Sequence, residues 1–195
     1  MSHINGKAYG SGILFYMRNP NRVVLTVRDQ RHPNPAKTLP YPGMPDIIGG
    51  HLDEIFRVDC NFRLDNNHLN VIDHTDPDNP MRVSLEMPID CIIREIAEEW
   101  IDIRTGKGFV LTNPKLVASF ENDVSVQWVY AKEVDFSLND IHTNEGAGLM
   151  VMNRESAMRN EVAFGCTGFL CWFFTDFLLN GKPVLSPPYP WEHYL

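Results

Sequence analysis

Met87-Pro88-Ile89-Asp90-Cys91-Ile92-Ile93-Arg94-Glu95-Ile96-Ala97-Glu98-Glu99-Trp100-Ile101-Asp102 carries two patterns at once. At helical period, Ile89, Ile92, Ile93, Ile96 and Trp100 fall on one stripe. Glu95, Glu98, Glu99 and Asp102 fall on another, at the i, i+3, i+4, i+7 spacing. Pro88 suits the first helical turn, where its missing N–H costs nothing, and Asp90 complements the positive end of the dipole. The spacing predicts a helix with one apolar face and one dense acidic face, carried through Asp102 and stopping at Gly106 or Gly108.

A face of that kind is electrostatically unfavourable. Carboxylates at i and i+4 repel by a few tenths of a kcal/mol in water, and desolvation in a cleft worsens the repulsion unless a cation neutralises it. Hard divalent cations such as Mg²⁺ take oxygen ligands and keep positions for water and phosphate oxygens. One reading is therefore a metal site that handles phosphates. The plainer one is a solvated face on which Arg94 pairs with Glu98.

Arg94-Glu95-Ile96-Ala97-Glu98-Glu99 resembles the core of the Nudix box, G-x5-E-x7-R-E-U-x-E-E-x-G-U, where U is bulky and apolar. Seven residues separate Glu86 from Arg94, so Glu86 stands where the pattern has its first glutamate. Pro80 stands in place of the first glycine, Ile101 in place of the last, and Asp102 in place of the final apolar residue. Gly49-Gly50, after Pro45-Asp46-Ile47-Ile48, is similar to the glycine turn that leads into the box, displaced by an insertion of about thirty residues.

The resemblance implies an α+β fold, a Nudix-type α/β/α sandwich with a mixed sheet, here with an inserted β-meander over residues 51–85. It implies a divalent-metal-dependent hydrolase that cleaves the pyrophosphate linkage of a nucleoside diphosphate joined to another moiety, of the ADP-ribose, nucleotide-sugar or dinucleotide type. The implied metal ligands, for Mg²⁺ or Mn²⁺, are Glu95, Glu98, Glu99 and the Gly49 carbonyl, with Glu86 assisting and Arg94 fixing the carboxylates by ion pairing. A further glutamate before a late strand serves many such enzymes as ligand or base; Glu145 is best placed and Asp140 is the fallback. Glu95 and Glu145 are the two candidates for the base. Homodimers are common in that family, but the residues leave oligomeric state open.

The 195 residues are enough for a single domain with its own core, and 44% apolar with 22% charged residues is ordinary for a globular chain. A formal charge of −8 argues against broad nucleic-acid or anionic-membrane binding, since little here neutralises a phosphate backbone. A small phosphorylated ligand is compatible with that charge once a metal inverts the local sign. Cys60, Cys91, Cys166 and Cys171 form neither a C-x-x-C pair nor a zinc-like spacing with histidine. The amino terminus is polar, and Asp176 interrupts the longest apolar run, Phe164 to Leu179. A reducing, cytoplasmic setting without membrane segments fits best.

In chain order, residues 8–18 and 22–29 read as a hairpin about Asn19-Pro20-Asn21, and 30–45, with five prolines, as a loop. Arg28, Arg31, His32, Lys37 and Tyr41 lie in or beside that loop; of these Arg28, Arg31 and Tyr41 are substrate-binding candidates, each also explicable as ordinary loop surface. In the insertion, Phe56, Val58, Cys60, Phe62 and Leu64 alternate, Asp65-Asn66-Asn67 turns, and strands follow at 68–73 and 81–85. Residues 115–121 and 124–134 alternate about Asn122-Asp123, a second hairpin. Its Trp128 could stack on a base, or simply pack in the core. Residues 149–152 read as a strand, 155–160 and 168–179 as helices, and 182–195 as an extended proline- and aromatic-containing tail that docks on the body or on a partner. The chief alternative to a hydrolase is a Nudix-like nucleotide-binding or regulatory domain without catalysis. A third reading is an interaction protein whose acidic helix is only a solvated face.

Overall fold

The computed structural model describes residues 3–31, 37–38, 40–61 and 67–194. His3–Ile4 (β1) precedes the first hairpin, Lys7–Arg18 (β2) and Asn21–Val27 (β3). Pro45–Asp46 (β4) and Ile48–His51 (β5) follow the proline-bearing loop. Glu54–Asp59 (β6), Leu69–Asp73 (β7) and Met81–Leu85 (β8) make up the insertion, which leads into Pro88–Glu99 (α1). Beyond the helix come Trp100–Asp102 (β9), Lys107–Gly108 (β10), Lys115–Glu121 (β11), Ser125–Glu133 (β12), Ile141–Thr143 (β13) and Gly148–Met152 (β14). Arg154–Arg159 (α2) and Thr167–Trp172 (α3) follow, α3 running on through a π-helical segment at Phe173–Phe177 and a last turn at Leu178–Asn180.

β2 organises the sheet because alternate residues bury on opposite sides. Ile13 and Phe15 join Ile92, Ile96 and Trp100 under α1, whereas Leu14 and Tyr16 join Leu170 and Phe173 under α3. The strand order is β11-β12-β2-β3-β14, with β12 parallel to β2 and β2, β3 and β14 successively antiparallel. β5 pairs with the first half of β2, alongside the half that β3 takes, and β4 pairs with the end of β3. A mixed sheet thus lies between α1 on one face and the α2–α3 layer on the other, the α/β/α sandwich expected.

α1 begins with Pro88 in its first turn and Asp90 near its positive end, and buries Cys91, Ile92 and Ile96. Each fully buried isoleucine contributes about 1.5–3 kcal/mol relative to exposure. Ile93, assigned to the apolar stripe, is exposed. The helix also stops earlier than its acidic spacing suggests. Trp100 turns extended (φ −114°, ψ 126°), is fully buried and stacks on Phe15 at 4.6 Å. The chain then runs as β9 between β10 and β13. Burying Trp100 against the sheet takes precedence over a further helical turn, so Asp102 leaves the acidic face and pairs with Arg104. Gly106 (φ +67°) lies in the β9–β10 turn, and Gly108 approaches Ala97 so closely that a Cβ would come within 2.4 Å of its carbonyl oxygen.

The insertion has its three strands, but not as a meander. Their order is β6-β8-β7, both pairings antiparallel, with β8 central. The central place goes to the strand whose Val83, Ser84 and Leu85 are buried, packed with Ile4, Leu52 and Cys91. The expected alternation at Phe62 and Leu64 and the turn residues Asp65 and Asn66 lie outside the described residues, as does His32. The tail docks on the body: Val184 bridges to Ala118, and Trp191 packs against Phe120, Phe169 and Trp172. It is not extended throughout, since residues 190–194 form a short 3-10 turn. No helix among the described residues is long and apolar enough to cross a membrane.

Candidate active site

Two glycines set the distance between β5 and the helix. Gly49 and Gly50 pair with Gly12 and Ser11 of β2. A Cβ on Gly50 would lie 2.0 Å from the Glu95 carboxylate, and one on Gly49 2.2 Å from the Ser11 carbonyl oxygen. Neither position has room for a side chain, so the Glu95 carboxylate rests directly on the β5 backbone.

Arg94 gathers the carboxylates on the other side. Its Nη1 donates to Glu95 Oε1 at 2.7 Å, and its Nη2 to Glu86 Oε1 at 2.7 Å and to the His51 carbonyl at 3.2 Å. The i,i+4 pairing with Glu98 is longer, 3.6 Å, and Glu98 is largely exposed. The fork of a guanidinium suits such a task, since it can bond two carboxylates in fixed geometry. Glu86 is held as well by Asp53, whose N–H donates to Glu86 Oε1 at 2.9 Å while the Glu86 N–H donates to the Asp53 carbonyl at 2.9 Å.

Glu99, the last residue of α1, faces a cleft of about 130 Å³ lined among others by Arg28, Asp46, Gly49 and Glu145. Glu145 reaches it because its loop is tied at both ends. Asn144 donates from its backbone to the Glu99 carbonyl (2.7 Å) and from its side chain to the Glu98 carbonyl (3.1 Å), while the Ala147 N–H donates to the Val27 carbonyl (2.7 Å). Gly146 (φ +83°) makes the turn between them. Burial, then the Glu145, Glu95 and Asp46 carboxylates, push the Glu99 carboxyl up to about 8. Burial also raises Glu95, opposed by Arg94, and raises Asp46, opposed by its 2.7 Å ion pair with Arg28. The last turn of α1 carries no basic residue, and its acidic ones stand at the negative end of the dipole.

The structure therefore brings Glu86, Arg94, Glu95, Glu99, Gly49, Glu145 and Arg28 to one region, with Glu98 exposed beside it. Tyr41 stands at its edge against Phe164, ring centroids 4.7 Å apart. Arg31 is exposed and does not line the cleft. Trp128 is a correction: half-buried, it packs with the clusters beneath α1 and beside the insertion, and stacks on Tyr9. Asp140 is another, lying 3.6 Å from Arg104 at the far side of β9. Sequence reasoning missed Asp46 and Asn144. A charged residue among Pro45, Ile47 and Ile48 was a usable sign of the first. Nothing local marks Asn144, whose role exists only where its loop meets the helix end.

Among the described residues, no three His, Cys, Asp or Glu side chains converge on one point as a ready metal cage. The donor chemistry nevertheless fits a hard divalent cation. The side-chain donors are all carboxylate oxygens, they are crowded enough to hold a proton on Glu99 near neutrality, and the C-terminal end of α1 adds to their negative field.

No family model and no curated protein matches the chain. Solved structures do. A NUDIX hydrolase from Nitrosomonas europaea superposes with a TM-score of 0.55 at 15% identity, covering 94% of this chain and 78% of the other. A MutT protein from Methanosarcina mazei Go1 does so with a TM-score of 0.51 at 14% identity, covering 93% of this chain and 99% of that one. A mixed sheet between α1 and the α2–α3 layer, matched along nearly its whole length by these two structures, means that the chain has the Nudix hydrolase fold.

Proposed function

We propose that the protein is a divalent-metal-dependent hydrolase that cleaves the pyrophosphate linkage of a nucleoside diphosphate joined to another moiety. The observation that carries this reading is Glu99, seated at the negative end of α1 among Glu95, Glu145 and Asp46 with a carboxyl raised to about 8. Such crowding is costly for a solvated surface and useful for holding cations against a polyanion.

Glu95, Glu98, Glu99 and the Gly49 carbonyl would hold the Mg²⁺ or Mn²⁺, with Glu86 supporting through Arg94. The chemistry a divalent cation supplies in such a place is neutralisation of the diphosphate and a lowered pKa for water. Arg94 keeps Glu86 and Glu95 in register with the β5 backbone. Because Glu95 is already engaged by Arg94, Glu145 is the freer carboxylate to take the proton from attacking water, at a position set by the Asn144 and Ala147 tethers. Arg28, fixed by its ion pair with Asp46 in the cleft lining, would offer positive charge to the diphosphate. A second reading, a nucleotide-binding domain without catalysis, fits the spacing of the carboxylates, no three of which converge on one point among the described residues.

The deciding experiment is turnover on a panel of ADP-ribose, nucleotide sugars and dinucleoside polyphosphates with Mg²⁺ or Mn²⁺, comparing wild type with Glu99→Gln. Metal-dependent turnover that falls at least about a hundredfold in the variant is expected. No turnover, with a melting temperature raised by nucleotide, would move the protein to the binding-domain reading.

A further inference from the structure

The cleft is small, about 130 Å³ against several hundred for a pocket that encloses a whole small-molecule ligand. The organic part of a substrate must therefore lie outside it, on the rim. One stretch of rim is aromatic. Tyr41, from the loop after β3, and Phe164, from the turn before α3, meet in a T-shaped contact, and Arg28 of the cleft wall lies 5.3 Å from the Phe164 ring.

Both aromatic residues sit in the left-handed region, Tyr41 at φ +53° and Phe164 at φ +57°. Bulky side chains rarely adopt that conformation, and it persists where surrounding structure imposes it. Here the side chains so displayed go to solvent: Tyr41 is 42% exposed and Phe164 58%. Tyr41 is held in place by a local zipper, in which Arg28 donates from its N–H to the Met44 carbonyl (3.0 Å) and from Nε to the Pro40 carbonyl (3.0 Å), while the Gly43 N–H donates to the Asp29 carbonyl (3.3 Å). Arg28 thus ties the aromatic pair to the carboxylate wall through Asp46.

We propose that Tyr41 and Phe164 form the subsite for a planar heteroaromatic ring, the base of a nucleotide whose diphosphate occupies the cleft. This rests on the hydrolase reading for the diphosphate but not for the ring. Tyr41 and Phe164 offer partly exposed ring surface, with the Arg28 guanidinium over the Phe164 ring, and such surface stacks on any base, so the subsite favours nucleotides over base-free diphosphates without choosing among bases.

The test is calorimetric binding of ADP, GDP and UDP against inorganic pyrophosphate, all with Mg²⁺, to wild type, Phe164→Leu, Tyr41→Ala and Tyr41→Phe, alongside KM and kcat on any substrate found. Phe164→Leu keeps apolar bulk and loses the ring. Nucleotide affinity is expected to fall about tenfold in Phe164→Leu and Tyr41→Ala, with Tyr41→Phe and all pyrophosphate affinities unchanged. KM should rise with kcat held. Equal losses for nucleotides and pyrophosphate, no loss, or no nucleotide binding by wild type would overturn the subsite. Ring-dependent binding without turnover would sink the hydrolase reading and leave the subsite standing. Turnover with KM unchanged in both variants would do the reverse.

Discussion

Asn144 caps a helix to which it does not belong: its backbone N–H donates to the Glu99 carbonyl at 2.7 Å, and its side chain to the neighbouring Glu98 carbonyl. Helix ends leave carbonyls without intrahelical partners, and here the partner comes from the loop that carries Glu145. Satisfying the helix end and delivering the late glutamate are one structural act.

Asn144→Ala is accordingly expected to cost about 1 kcal/mol of stability, the worth of one side-chain hydrogen bond. Its effect on Mg²⁺-dependent turnover should be larger, about tenfold or more, because Glu145 loses its registration. A denaturant titration and a metal titration of activity, run side by side, check the difference.

Gly50→Ala puts a methyl group where the Glu95 carboxylate rests. The carboxylate is the free end of a flexible side chain, so the fold should survive with a melting temperature within about 3 °C of wild type. Activity should fall at least about tenfold as Glu95 is displaced. An inactive variant that also unfolds would show that the glycine serves the sheet and not the site.

Glu99 has a folded-state pKa raised to about 8, above the ordinary carboxylate range. A raised value means that the folded protein holds this proton more tightly than the unfolded chain. The associated stability is fully present below the ordinary carboxylate pKa and is lost as pH rises through about 8. Metal-free Glu99→Gln should therefore be more stable to denaturant than wild type at pH 8.5, by about 1–2 kcal/mol after allowance for solvent at the cleft mouth, and show no such advantage at pH 5. Added Mg²⁺ should stabilise wild type more at pH 8 than at pH 5, because it competes with that proton.

Arg94→Lys keeps the charge and loses the fork. Glu86 and Glu95 cannot both be bonded by one ammonium in the same geometry. A loss of about 1–3 kcal/mol on chemical denaturation is expected, with Arg94→Ala at least as severe because Glu86 is left nearly buried and without its cation.

Much of this was legible before any coordinates. Both hairpins and α1 follow from local spacing, because hairpins and helices record their geometry in consecutive residues, whereas Gly49-Gly50, expected as a turn, lies within β5 and pairs with β2. The misreadings arise where distant parts of the chain compete. Trp100 leaves the helix for Phe15, taking Asp102 with it, and β8 takes the centre of the insertion, where Val83, Ser84 and Leu85 are buried while Ile55, Phe56 and Ile72 of its neighbours stay exposed. By sequence Trp128 and Tyr41 are both substrate-binding candidates, yet one packs in the clusters beneath α1 and beside the insertion and the other is exposed against Phe164. Asp46 and Asn144 act through contacts with residues far off in sequence, which no spacing along the chain encodes.

The mutual hydrogen bonds of Asp53 and Glu86 have a consequence for protein engineering. The chain departs on its excursion at Asp53 and returns at Glu86, where the two residues are clipped together, and Asn5 holds the far strand through the Ile72 carbonyl and the His74 N–H. Lengthening a closed loop costs little, about 0.6 kcal/mol per doubling, and the clip holds the two ends of the excursion together beside α1. Replacement modules of other lengths are admissible at this junction, provided that they shelter the apolar side chains of Ile4, Leu52 and Cys91.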